Sequence, residues 1–110
     1  MSPTSKLIAA SLALASLSAP AKAQIPAAHY VCYHFTTPLP LLNFTITGNG
    51  QYTDAGGAHG TFRANGNGQF VFSGGNFDGQ TAVFRSGNPP TVAFMGTGGG
   101  ETETCQPGKD

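Results

Sequence analysis

From residue 24 onward, polar and apolar residues alternate in short runs. In Asn43-Phe44-Thr45-Ile46-Thr47, Phe44 and Ile46 share one face; in Gln69-Phe70-Val71-Phe72-Ser73 the two phenylalanines do. Thr81–Arg85 places Ala82 and Phe84 together, and Thr91–Met95 places Val92 and Phe94 together. His29–Phe35 carries large side chains on both faces. A period of two marks half-buried strands, because successive side chains of an extended chain point to opposite sides. Between the runs lie Gly48-Asn49-Gly50, Gly56-Gly57, Gly66-Asn67-Gly68, Gly74-Gly75 and Gly87-Asn88-Pro89-Pro90, turn signals that need positive φ or a fixed one. Strands start about every 8–12 residues, the spacing of an antiparallel meander. The pattern predicts an all-β fold: about seven short antiparallel strands, arranged as a small sandwich or open barrel. Residues 24–28 and 106–110 are expected as loose ends.

A hairpin repeat is written into the middle of the chain, at about 44–79. Phe44-Thr-Ile-Thr-Gly-Asn-Gly-Gln-Tyr52 aligns with Phe62-Arg-Ala-Asn-Gly-Asn-Gly-Gln-Phe70, and Gly56-Gly57 aligns with Gly74-Gly75 at the same offset. That offset is about one hairpin long. A calcium-binding β-roll is excluded, since Gly74-Gly-Asn-Phe-Asp78 departs from the required nonapeptide and the region holds too few carboxylates.

The first 23 residues have a different character. Lys6 lies in a short charged stretch, Leu7–Ala19 is apolar, and Ala21-Lys22-Ala23 places small residues at −3 and −1 of a cleavage point before Gln24. Thirteen apolar residues fall short of the roughly 20 that a membrane span requires. Residues 1–23 are expected to be a cleaved signal peptide, and 24–110 a single β domain exported to the periplasm or the extracellular space.

Charge changes the picture by exclusion. The last 87 residues carry Arg63, Arg85 and Lys109 against Asp54, Asp78, Glu101, Glu103 and Asp110, a net charge of −2. No basic field exists to hold nucleic acid, and no membrane association is expected after signal cleavage. All 11 aromatic residues lie in this part, which has only three leucines. Phe44, Tyr52, Phe62, Phe70, Phe72, Phe84 and Phe94 must therefore build most of the core. In an oxidising compartment, Cys32 and Cys105 are expected to form one disulfide. The closed loop would be about 74 residues long, which in a chain-entropy treatment stabilises the domain by about 4 kcal/mol.

Candidate chemistry is sparse. His29 and His34 flank Cys32 and fall on opposite strand faces, while His59 lies in a glycine turn. No metal site, no cofactor and no catalytic residue is assigned. Asp54 and Asp78 sit beside glycines, where Asx turns account for them. Asn43-Phe44-Thr45 fits the N-glycosylation acceptor pattern but is not given that role. Tyr30, Tyr33, His34, His59 and Phe77 are the candidates for facing a ligand, with Tyr30, Tyr33 and Phe77 expected to be partly exposed. The expected function is a non-enzymatic binding or structural module; its small-molecule, glycan or protein partner is not specified by the sequence. One alternative is a small enzyme or metal-binding protein using His34, His59, Asp54 or Asp78. The other is a self-associating surface protein that pairs through open strand edges.

Overall fold

The computed structural model describes residues 24–96 and 98–110, so the proposed signal peptide lies outside the described residues. Among these residues nine strands form: β1 (Ala28–His34), β2 (Thr37–Pro38), β3 (Phe44–Gly48), β4 (Gln51–Asp54), β5 (His59–Ala64), β6 (Gln69–Ser73), β7 (Thr81–Arg85), β8 (Thr91–Met95) and β9 (Glu101–Pro107). Every pairing is antiparallel, and from β3 onward each strand pairs with its successor. The ends of this meander meet. β9 pairs with β1 and β1 pairs with β3, so eight strands close into a barrel with β2 attached at its side. The sheet is thus neither a sandwich nor open. Eight strands enclose an interior just wide enough for side chains to fill.

Why the inside is aromatic follows from the alternation. Ile46 faces Tyr52 across the β3–β4 hairpin, and Ala64 faces Phe70 across β5–β6. The inward positions supply Tyr30, Phe44, Tyr52, Phe62, Phe70, Phe72 and Phe94 to one buried cluster, with Phe84 packed at its margin. Tyr30 stacks on Phe44 at 5.3 Å between ring centroids and Phe62 on Phe72 at 5.3 Å. Edge-to-face and stacked pairs of this kind add about 0.5–1.5 kcal/mol each beyond area burial.

Both ends of the barrel are plugged. Where β1 finishes, a 3₁₀ turn at Gly75–Phe77 tips Phe77 inward, stacked on Phe94 at 4.1 Å. Tyr52 holds this plug, because its hydroxyl accepts from Phe77 N (3.0 Å) and donates to the Gly74 carbonyl. The approach is so close that a Cβ on Gly60 would stand 2.6 Å from Gly74 O, so glycine is required there. At the opposite end Ile25 is buried, and the Tyr30 hydroxyl donates to Pro26 O (2.8 Å).

These contacts correct four expectations. Tyr30 and Phe77 are fully buried and not partly exposed, because a short barrel needs large side chains to fill its axis and its mouths. The segments 24–28 and 106–110 are not loose. Ala28, Gln106 and Pro107 are in strands, and Gly108 N bonds His29 O at 3.1 Å.

The disulfide joins Cys32 to Cys105, which face each other directly across the β1–β9 seam with Cα atoms 4.0 Å apart. It lies where the first and last barrel strands close the sheet. The cross-link thus fastens the one strand pair that chain connectivity does not hold together.

Candidate functional site

With the interior occupied, chemistry is left to the outward positions. Tyr33 follows the inward Cys32, Thr104 and Gln106 flank the inward Cys105, and Thr91 precedes the inward Val92. Register brings them together: Tyr33 pairs with Thr104, and Thr91 lies beside Gln106 one strand over. After His34 the chain reverses in a two-residue turn, Phe35-Thr36, and returns as β2. This hairpin stands at the margin of the seam. Tyr33, Phe35, Thr36, Thr91, Thr104 and Gln106, with Cys105 between the last two, line an open groove of about 390 Å³.

Phe35 is the unusual member. Its φ is +57°, in the left-handed region, where a Cβ crowds the following carbonyl and costs roughly 1–2 kcal/mol. Its ring is 86% exposed and touches the His34 ring at 4.6 Å between centroids. Glycine would fit this turn without strain. A large apolar ring held in solvent by a strained backbone receives no stabilisation from burial, and such outliers concentrate at functional positions.

The other candidates are dispersed. His34 Nδ1 lies 2.9 Å from Thr102 O, beside the groove, and Tyr33 lines it. His59 is on β5, with Nδ1 3.2 Å from Thr53 Oγ1. Asp54 accepts from Gly56 N (2.9 Å) and Ala58 N (2.8 Å), and Asp78 from Gly74 N (2.7 Å), the local turn bonds expected of them. Among the described residues no group of three His, Cys, Asp or Glu side chains is placed to hold a metal ion.

A cluster outside the sequence candidates does form. His29 pairs with Thr45 on the outer face; its Nδ1 is 2.8 Å from Thr45 Oγ1, and its Nε2 is 2.7 Å from an Asp110 carboxylate oxygen. Asn43, 7% exposed, donates to the same oxygen (2.7 Å) and accepts from Cys32 N (2.9 Å). Bonds from His29 and Asn43 hold the Asp110 carboxyl below its ordinary pKa. The order carboxylate–imidazole–hydroxyl resembles that of a hydrolase triad. A nucleophile also needs free donors for an oxyanion, and Thr45 lies mid-sheet, paired with both His29 and Thr53. The arrangement serves as a latch that folds residues 108–110 onto β1.

Neither Phe35 nor this latch was visible in the sequence. Phe35 sits in a turn without glycine, so nothing marked its positive φ, and His29 and Asp110 are 81 positions apart. No family model, curated protein or solved structure shows a significant match to the chain.

Proposed function

We propose that the protein is an exported, non-enzymatic binding module that takes its ligand in the outer groove beneath Phe35. The observation that carries this reading is the exposed Phe35 ring on a left-handed residue at the groove's rim. Export rests on the charged, apolar and Ala-x-Ala order of residues 1–23 and agrees with a seam disulfide, which persists in oxidising compartments. A binding role agrees with a barrel whose mouths are filled, and with His34, His59, Asp54 and Asp78 lying in separate hydrogen bonds and not in one cluster. Self-association through open edges loses its motivation, because closure pairs both end strands and leaves the Pro-containing β2 at the side.

The test uses the oxidised chain from Gln24, labelled with ¹⁵N, against a fragment set of saccharides, amino acids and aromatic amides. Amide shifts gathered at Tyr33, Phe35, Thr36, Thr91, Thr104 and Gln106 are expected. Shifts gathered elsewhere on the barrel, or none, would overturn the assignment.

A further inference from the structure

Resting on that reading, we infer that the groove is a subsite for a neutral saccharide, with one pyranose ring lying flat on Phe35. Its lining carries no charged side chain. An anionic or cationic ligand would lose hydration there without gaining a counter-charge. What the groove offers is two aromatic rings with four hydroxyls and one carboxamide: Phe35 and Tyr33, whose phenol is one of the hydroxyls, with Thr36, Thr91, Thr104 and the Gln106 amide. A pyranose is the matching object. It has a face of C–H groups whose positive ends lie well against the negative face of an aromatic ring. Its rim of hydroxyls both donates and accepts, as threonine hydroxyls and a glutamine amide do.

The division of labour within the groove follows burial. Tyr33, Thr91, Thr104 and Gln106 are half-buried, set in three adjacent strands, and fixed by the ladder on either side. They form the floor that reads hydroxyl positions. Phe35 and Thr36 are exposed on the hairpin and form the rim. A flat, wholly apolar ligand would satisfy Phe35 but leave the floor's polar groups covered and unpaired, which opposes binding. A saccharide covers the ring and pairs the floor together.

The experiment is an amide-shift titration of the ¹⁵N-labelled, oxidised chain with four neutral hexasaccharides, glucose-based with β1,4 or α1,4 links, xylose-based, and N-acetylglucosamine-based. Indole and benzamide serve as flat probes of the same groove. At least one hexasaccharide is expected to shift Tyr33, Phe35, Thr36, Thr91, Thr104 and Gln106 saturably. Phe35→Gly should weaken that binding tenfold or more with its thermal transition intact, and Phe35→Trp should retain it and report it by fluorescence. If indole or benzamide moves these residues and no saccharide does, the saccharide assignment is overturned while the groove stands. If no probe moves them, both fall. Saccharide binding that Phe35→Gly leaves unchanged overturns the stacking role.

Discussion

Replacing Phe35 by glycine should stabilise the protein relative to replacing it by alanine, and this comparison isolates the strain at the groove's rim. Both variants delete the ring and its contact with His34, so those losses cancel. Because the ring is 86% exposed, little burial is lost in either case. At an ordinary strand position alanine is better than glycine by about 0.5–1 kcal/mol, since glycine has more chain entropy to lose. At φ +57° the order inverts. Alanine keeps the Cβ, and with it the roughly 1–2 kcal/mol cost of the left-handed region, whereas glycine has no such cost. The difference leaves Phe35→Gly more stable than Phe35→Ala by about 0.5–1 kcal/mol. For a domain of this size that corresponds to roughly 2–8 °C in Tm. Urea denaturation followed by tyrosine fluorescence or far-ultraviolet dichroism, with equal slopes for the two variants, reads the difference directly. Alanine equal to or more stable than glycine would show that the turn is not strained by a side chain, and would remove the main reason for reading Phe35 as functional.

Three other outcomes are expected. Tyr52→Phe leaves Phe77 N and Gly74 O without their shared partner, and should cost about 1–3 kcal/mol by denaturant unfolding while the fold is kept; no loss would mean that the plug holds itself. The double variant Cys32→Ala, Cys105→Ala should lose about 4 kcal/mol, from freeing a loop of 73 residues' separation in the unfolded chain, and an unchanged guanidinium midpoint would contradict the seam's role. Asp110 has a lowered folded pKa, so its latch is intact above the carboxyl's unfolded value and is lost as pH falls through the folded one. Acid titration should release residues 108–110 and move the Asn43 side-chain amide signals, an effect that Asp110→Asn should abolish.

What the sequence made legible is what period-two patterning and compartment can carry. Phe44, Phe62, Phe70, Phe72 and Phe94 are in the core as their alternation predicts, the fold is an all-β antiparallel meander, and Cys32 bonds Cys105. Closure was not legible, because the pairing of β1 with β9 joins segments some 70 residues apart and leaves no local mark. Alternation could not decide which face of His29–Phe35 turns inward, since both are bulky; the structure puts Tyr30 and Cys32 inside and Tyr33 outside. Phe77 was misread because glycine-rich turns usually lie on the surface. Here the turn closes a barrel only about five residues tall, and its aromatic ring completes the core.

The position of the groove follows from the same economy of size. A domain as small as that of residues 24–110 buries a modest share of its surface, and this one uses its large apolar side chains to fill the barrel. A ligand site inside would have to replace core aromatics, at about 3–5 kcal/mol for each phenylalanine removed, out of a total that for such domains is 5–15 kcal/mol. An outer site needs only rigidity beneath it. The seam supplies that rigidity, since Cys105 itself lies in the groove's lining, Tyr33 adjoins Cys32, and Thr104 and Gln106 adjoin Cys105. Side chains anchored in this way would lose less freedom on taking the proposed ligand, which would favour affinity without requiring a large contact. The cross-link therefore contributes at two levels, closing the sheet against unfolding and holding the floor of the groove in register beneath a strained aromatic rim.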